Sequence, residues 1–202
     1  MEHILAGVKA KHYRCILADP PWKFKSYGAS KTPKTDRHVE RHYKTMTLDE
    51  IKALEVVEAA RPDGCHLFLW TTGPFLPQAL ITMERWGFRY SGIGFCWAKL
   101  RKTFVTNQIR MMPADGADMS VGLGFTTRKN IELCLLGRRG GAKRNAKNIR
   151  ELIVAPRREH SRKPDETRER IERYCDGPYL ELFGRSERSG WTVRGDEVGK
   201  FK

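Results

Sequence analysis

Cysteine is scarce in this sequence of 202 residues, with five residues and no Cys-x-x-Cys pair. The number is odd, the positions are widely spread, and four of them lie in apolar runs, which is typical of reduced, buried thiols in an intracellular protein. A zinc site needs clustered ligands, and neither the cysteines nor the six histidines form such a cluster. The sequence therefore predicts no disulfide framework and no metal site. The cysteines are Cys15, Cys65, Cys96, Cys134 and Cys175.

Long hydrophobic runs are also missing, since no apolar stretch approaches the roughly 20 residues needed to cross a bilayer. The first residues mix His3, Lys9 and Lys11 with apolar side chains, unlike a secretory signal peptide. These two observations predict a soluble, cytoplasmic protein with no membrane partner.

Acidic residues are too few to balance the basic ones, because 24 Asp and Glu stand against 38 Lys and Arg, giving a formal net charge of +14. The sequence pI is about 9.8. Such an excess attracts polyanions, of which a nucleic acid is the natural one and a membrane surface a weaker alternative. A basic pI by itself identifies no partner.

The hydrophobic fraction of 40% is ordinary for a globular protein, and the length fits one domain over residues 1–202.

Short apolar runs alternate with helical patterns along the chain, which predicts an α/β sheet covered by helices on both faces. One helix begins at Thr47, which with Glu50 forms a capping box. A second helix ends at Gly87, and a third has Pro164 in its first turn. The predicted strands are 14–18, 64–71, 90–98, 131–136, 151–154 and 179–183, and the predicted helices start at 47 or span 74–86 and 164–174.

Two regions interrupt this alternation, from Lys23 to Lys44 and from Lys102 to Lys129. Loops of this length inside a compact domain are usually functional or disordered. Both emerge near the ends of predicted strands, on the side where an α/β sheet binds ligands.

The tetrapeptide Asp19-Pro20-Pro21-Trp22 directly follows the first predicted strand. A carboxylate at the carboxyl end of a buried strand projects into the ligand crevice of an α/β sheet. Asp19 and the carbonyl of Pro20 offer two acceptors at one place, which suits the two N–H donors of an adenine amine, and Trp22 supplies an aromatic ring for stacking. An ordinary turn after a strand is the alternative. The position after a buried strand and before tryptophan favours the functional interpretation.

The sequence resembles the MT-A70-like adenine amino-methyltransferases, the family of the catalytic subunit of the eukaryotic messenger-RNA adenosine methyltransferase, with bacterial and phage members. The resemblance begins with the Asp-Pro-Pro-Trp motif and runs from about Tyr13 to Val198. Further matching segments follow in the same order at 42–46, 67–70, 97–99, 127–128, 132–137, 159–166 and 181–185.

The resemblance implies a Rossmann-like methyltransferase fold with a permuted order, in which the catalytic motif comes early and much of the cofactor site comes late. It also implies S-adenosyl-L-methionine as the methyl donor. Neither Gly92-x-Gly94 nor Gly122-x-Gly124 completes a G-x-G-x-x-G, so the sequence contains no dinucleotide-binding fingerprint.

The resemblance assigns further site residues. It implies that Tyr43 lies over the target base and that Lys163 lies beside the methionine part of the cofactor. It places Phe183, Gly184 and Arg185 against the cofactor, with Arg185 bonding its ribose. Asp196 and Glu197 stand where the family has amides near the cofactor, although an acid on ribose hydroxyls is chemically reasonable. The amino terminus offers no match to the family residues that hold the cofactor adenine.

The basic stretch of Arg138, Arg139, Lys143 and Arg144 continues through Lys147 and Arg150 and follows a predicted strand. A charge run is usually a solvated loop. Because its charges share one sign and a polyanionic substrate is implied, we expect it to bind the phosphate backbone next to the target adenine.

The favoured function is methylation of the N6 amine of adenine in DNA, as expected of a compact, basic member of the bacterial and phage branch. Methylation of adenosine in RNA by the same chemistry is the alternative, and the catalytic motif does not separate the two. A non-catalytic nucleic-acid-binding partner is a third possibility, which the intact motif disfavours. The sequence leaves monomer and homodimer open.

Overall fold

The computed structural model describes residues 4–22, 46–102, 119–120, 127–159 and 162–199. These residues form one seven-stranded sheet in the order β5-β3-β4-β2-β1-β6-β7. The strands are β1 (Cys15–Ala18), β2 (Gly64–Thr71), β3 (Arg89–Leu100), β4 (Ile131–Gly140), β5 (Leu152–Pro156), β6 (Tyr179–Leu182) and β7 (Trp191–Arg194).

Six strands run in one direction and β4 runs against them. Strands β2, β1, β6 and β7 pair in parallel, as do β3 and β5, whereas β4 pairs antiparallel with both β2 and β3. All six parallel strands therefore end at the same edge, where β4 begins; we call this the carboxyl edge. The opposite edge, where β4 ends, is the amino edge. This geometry decides which loops lie together.

Helices cover both faces of the sheet. The helices are α1 (Leu48–Lys52), α2 (Leu76–Arg85) and α3 (Glu166–Tyr174), with 3₁₀ turns at Val56–Glu58 and Gly73–Phe75. Alternate residues of each strand point to opposite faces, so β1 contributes Ile16 and Ala18 to the core under α1 and α2. Its other residues, Cys15 and Leu17, belong to the core under α3. The predicted α/β class, with a Rossmann-like sheet and an early central strand, is confirmed.

Local signals in the sequence were accurate at two helix ends and differed from the structure at two others. Thr47 caps α1 through a complete capping box with Glu50. Apolar residues continue at helical spacing as far as Leu54, yet α1 ends at Lys52, because the cap at Ala53 turns the chain into the 3₁₀ segment that buries Val56. Gly87 ends the second helix with a φ of 79°. Pro164 precedes α3 instead of lying in its first turn, since the helix begins at Glu166.

Strands β3, β4 and β5 are longer than the sequence predicts, and the sheet has one more strand. Strand β7 was not predicted at all, and β4 extends four residues beyond its predicted end, to Gly140. Two glycines and two arginines make that extension look like a loop, yet the pairing of β4 with β2 continues to Gly64. All five cysteines are free, as expected, and four of them are buried. In the described part of the chain, no helix is long and apolar enough to span a membrane.

Candidate active site at the carboxyl edge

Asp19 is the first residue after β1 and lies at the carboxyl edge between β2 and β6. Its side chain is 28% exposed, and its Oδ2 lies 2.5 Å from the Nζ of Lys163. The other carboxylate oxygen, Oδ1, accepts no hydrogen bond from any residue in the described ranges. Asp19 thus lies at the end of the predicted strand, with one carboxylate oxygen held by a cation.

The two prolines shape the chain immediately beyond Asp19. The Pro20 carbonyl accepts a hydrogen bond from the Trp22 N–H at 2.8 Å, and the Pro21 carbonyl accepts one from the Met46 N–H at 3.2 Å. A carbonyl oxygen has two lone pairs, so the bond from Trp22 leaves the Pro20 oxygen one further acceptor position. The joint action of this carbonyl and Asp19 on a substrate amine stays a prediction.

Trp22 is placed differently from the expectation that its ring stacks on a base. The indole is 7% exposed and belongs to the core under α1 and α2. Its Nε1 donates to the Trp70 carbonyl at 3.1 Å, and its ring stacks on Phe75 with centroids 5.8 Å apart. A ring committed to these contacts supports the Asp19 loop from behind, and it leaves no open face for a base.

A chain of alternating charges extends from Asp19 across the sheet. The Nζ of Lys163 lies 3.2 Å from Glu132 Oε2 as well as 2.5 Å from Asp19. Glu132, the second residue of β4, also accepts a hydrogen bond from Lys99 at the end of β3. Lys163 further lies 5.4 Å from the centre of the Trp70 ring. Two carboxylates and two ammonium groups thus fix one another at the site.

Glu132 is a buried carboxylate that was not predicted as a site residue. Burial raises its pKa, but attraction to Lys163 and Lys99 and their hydrogen bonds outweigh burial, so the pKa is lowered from 4.5. The signal was present in the sequence, because an acid inside an apolar strand is costly unless it is paired. Its partner could not be identified before the fold was known.

The loops after β6 and β7 form the other side of the site. Phe183 follows β6 with a φ of 63°, a left-handed conformation that is costly for a residue with a side chain. The Gly184 N–H donates to the Arg194 carbonyl at 3.0 Å. A Cβ on Gly195 would lie 2.2 Å from the Gly184 carbonyl oxygen, so this close approach requires glycine. Arg185 Nε lies 3.3 Å from Glu197 Oε2.

An open cleft lies between Asp19 and these loops. The cleft brings together five of the predicted residues, which are Asp19, Lys163, Phe183, Gly184 and Arg185. The residues lining it are Leu17, Asp19, Trp70, Arg162, Lys163, Pro164, Asp165, Thr167, Arg168, Glu181, Phe183, Gly184, Arg185 and Ser186.

Arg168 of α3 anchors one wall of the cleft. Its Nη2 lies 2.6 Å from Glu181 Oε2, and it also donates to the carbonyl and the hydroxyl of Ser186, at 3.2 Å each. Burial raises the pKa of Glu181, and Arg168 opposes that shift. Neither Arg168 nor Glu181 was predicted from the sequence, yet they connect α3 to the loop that contains Arg185.

Three expectations have other outcomes. Tyr43 lies outside the described residues. Asp196 is exposed, and Glu197 is partly buried and paired with Arg185. The amino-terminal segment, for which no role was identified, lies beside the end of β7, since Arg194 donates to the carbonyls of Ala6 and Gly7 at 3.2 and 3.3 Å.

The basic stretch from Arg138 to Arg144 lies at the amino edge, which corrects the expectation that it adjoins the target adenine. Because β4 is antiparallel, Gly140 pairs with Gly64 at the start of β2. At about 3.3 Å per residue, this point is about 20 Å along the strand from the level of Asp19. The Asn145 N–H donates to the Tyr174 carbonyl at the end of α3, which keeps the following residues there too.

The family model described as MT-A70 matches residues 13–197. This chain belongs to the MT-A70 family. The matched range includes every residue that lines the cleft, from Leu17 to Ser186.

Relatives of this MT-A70 chain fall into two groups by length. The type II methyltransferase M.MunI of a Mycoplasma species is 28% identical over 98% of this chain and 83% of its own length. The MT-A70-like N(6)-adenosine-methyltransferase of Arabidopsis thaliana is 32% identical over 91% of this chain and 23% of its own length. The human N(6)-adenosine-methyltransferase catalytic subunit METTL3 is 30% identical over 92% of this chain and 28% of its own length. The chain thus spans about a quarter of these two eukaryotic relatives.

Proposed function

We propose that this protein transfers a methyl group from S-adenosyl-L-methionine to the N6 amine of adenine in DNA. The observation that supports this most is the place of Asp19, whose carboxylate lies at the wall of the cleft with Oδ2 on Lys163 and which Pro20 directly follows. Two acceptors at one place suit an amine with two N–H groups.

The N6 nitrogen of adenine is a poor nucleophile because its lone pair is delocalised into the ring. The protein must therefore make this lone pair available for the reaction. Asp19 Oδ1 and the Pro20 carbonyl would accept the two N–H hydrogens and draw the nitrogen towards tetrahedral geometry. The Asp19 carboxylate would also stabilise the positive charge that develops on the nitrogen during transfer, as preorganised groups do in other active sites. Lys163 holds Oδ2 and so fixes the direction of Oδ1.

The residues around the cleft fit S-adenosyl-L-methionine, which when bound supplies an electrophilic methyl group. Its methionine part carries a carboxylate and an ammonium group, and the cleft offers Lys163 for the first and the Glu181 carboxylate for the second. Phe183 and Gly184 bring backbone close to the cleft, as a bound nucleoside requires. Arg185 and Glu197, which are paired, would bind the ribose. Tyr43 is assigned to the target base.

DNA is proposed as the substrate because M.MunI, the relative whose length approaches that of this chain, is a bacterial type II methyltransferase. RNA is the second candidate, since several relatives are named N(6)-adenosine-methyltransferases. Those proteins have more than three times the matched length, which leaves room for functions that this chain does not share.

The test is methyl transfer from labelled S-adenosyl-L-methionine to single-stranded DNA, duplex DNA and RNA of matched sequence. The product is identified as N6-methyladenine by mass spectrometry. We expect Asp19→Asn to lower turnover on the order of a hundredfold, the effect of losing one catalytic acceptor, while calorimetry shows unchanged cofactor affinity. The control Asp49→Asn removes an exposed carboxylate that pairs with Lys52 on α1. Full activity of Asp19→Asn would overturn the site, and methylation of RNA alone would reassign the substrate.

A further inference from the structure

Five cations lie together at the carboxyl edge, on the side of Asp19 away from the loops after β6 and β7. Two follow the end of β3, two precede the start of β4, and one follows the end of β5. We call them the carboxyl-edge cations: Arg101, Lys102, Arg128, Lys129 and Arg157.

Strand pairing brings these residues from separate parts of the chain to adjacent positions. The Lys99 N–H donates to the Asn130 carbonyl at 2.9 Å, joining the end of β3 to the segment before β4. The Arg157 N–H donates to the Leu100 carbonyl at 3.0 Å, joining the end of β5 to that of β3. Neighbouring strands are about 4.8 Å apart, so the three strand ends span about 10 Å.

The carboxyl-edge cations are not neutralised by other described residues. None of the five forms an ion pair within the described ranges, and the polar contacts of Lys129 and Arg157 are with the hydroxyls of Thr127 and Ser120. Arg101, Lys102, Arg128 and Arg157 are exposed. The cations directly behind them differ, since Lys99 pairs with Glu132 and Arg158 pairs with Asp165. Within the described ranges, a solvent-facing group of cations without ion-pair partners therefore adjoins a group of paired cations.

The spacing of this group suits a nucleic acid whose target base is at Asp19. Counting strands from β1, the start of β4 is two spacings away and the end of β5 is four, or about 10 to 19 Å. Phosphates of one strand recur about every 3.4 Å along a duplex axis, so an edge of about 10 Å faces about three of them. The loops proposed to bind the cofactor lie in the opposite direction, after β6 and β7.

We propose that the carboxyl-edge cations bind the phosphate backbone that flanks the target adenine, whereas the basic residues at the amino edge do not. This inference rests on the proposed function, because it takes the reacting base to be at Asp19. The contacts position the substrate and do not read its sequence.

The experiment compares two variants that each lose three positive charges from exposed side chains. The test variant is Arg101→Gln, Lys102→Gln and Arg128→Gln. The matched control is Lys143→Gln, Arg144→Gln and Lys147→Gln at the amino edge. Binding of a fluorescent single-stranded DNA that contains adenine is measured at several salt concentrations, without cofactor, and thermal unfolding shows that each variant is folded.

For the test variant we expect the slope of log affinity against log salt to fall by about 0.7 for each phosphate that the protein no longer binds. Release of three phosphates would weaken binding on the order of a hundredfold at roughly 0.1 M salt. The control variant should keep the wild-type slope, and both variants should keep the wild-type affinity for S-adenosyl-L-methionine. The single variants Arg101→Gln and Arg128→Gln should each lower this slope by part of the decrease seen in the test variant.

An equal decrease of slope in the two triple variants would show a general charge effect and overturn the proposal, as would an unchanged slope in the test variant. Failure of the proposed function is a separate outcome, because binding and methyl transfer are measured independently. If the wild-type protein methylates adenine and the test variant binds the DNA like wild type, the carboxyl-edge proposal alone is refuted. Binding that depends on the carboxyl-edge cations, without methyl transfer to any nucleic acid, would refute the proposed function alone.

Discussion

Glu132 offers the sharpest test of how the site is held together. It is 9% exposed, and its two oxygens separately contact Lys163 and Lys99. Glu132→Gln keeps the shape of the side chain and removes the charge, which leaves two largely buried ammonium groups with Asp19 as the remaining anion. Removing one partner of a buried pair costs about 3–5 kcal/mol, and the partial exposure of both lysines favours the lower end.

The expected loss is therefore about 3 kcal/mol in the free energy of unfolding, measured by urea denaturation at neutral pH. For a domain of this size that corresponds to a fall of about 6–12 °C in Tm. Turnover should fall as well, because Lys163 would no longer be held between two carboxylates. The control Glu166→Gln breaks a more exposed pair with Arg170 and should cost less than about 1 kcal/mol.

The pH dependence gives an independent check of the same reasoning. The pKa of Glu132 is lowered from 4.5 in the folded protein. A carboxyl group with a lowered pKa stabilises the fold fully above its unfolded pKa, and this contribution is lost as pH falls through the folded pKa. The difference in stability between wild type and Glu132→Gln should accordingly be largest at neutral pH and shrink in acid.

A second substitution separates charge balance from packing. The double variant with Glu132→Gln and Lys99→Met leaves one anion, Asp19, and one cation, Lys163. We expect the second substitution to recover part of the lost stability, with a coupling energy above about 0.5 kcal/mol. A cost below about 0.5 kcal/mol for Glu132→Gln, or strict additivity of the two changes, would refute the alternating-charge account of the site.

Three other changes test separate parts of the site. Arg185→Ala should weaken S-adenosyl-L-methionine binding in calorimetry at least about tenfold, the loss of a charged hydrogen bond, and unchanged affinity would contradict its assignment to the ribose. Gly195→Ala should cost about 1–3 kcal/mol because its Cβ meets the Gly184 carbonyl oxygen, whereas Gly73→Ala, which meets no atom within 4 Å, should be tolerated in the same thermal melt. Trp22→Phe should cost about 1–3 kcal/mol by leaving a buried carbonyl unpaired; unchanged stability would contradict the supporting role of the indole.

Several local features of this protein could be predicted from the sequence because their causes are local. The capping box of Thr47 and Glu50 acts within four residues, and the turn at Gly87 depends on the freedom of one glycine. The apolar run before Asp19 is long enough to identify a buried strand and its end. The α/β class, the place of Asp19 and the family resemblance all follow from signals of this kind.

Other features depended on pairings between distant residues, and propensity does not encode these. Asp19 and Lys163 are 144 positions apart, yet their side chains are 2.5 Å apart. Lys163 was selected through the family resemblance, whereas its contact with Glu132 became visible only when β4 was placed two strands from β1.

The direction of β4 had the largest consequence for function. Its sequence is apolar and strand-like in either orientation, so nothing within it shows whether it runs with or against β2. The antiparallel pairing takes Arg138 and Arg139 away from Asp19 and brings Arg128 and Lys129 to the same edge. The sequence by itself determined that the chain is basic and α/β, with Asp19 at the end of a buried strand. Which of its cations lie at the same edge as Asp19 was decided by tertiary structure, because hydrogen bonding between strands sets the edge at which each loop emerges.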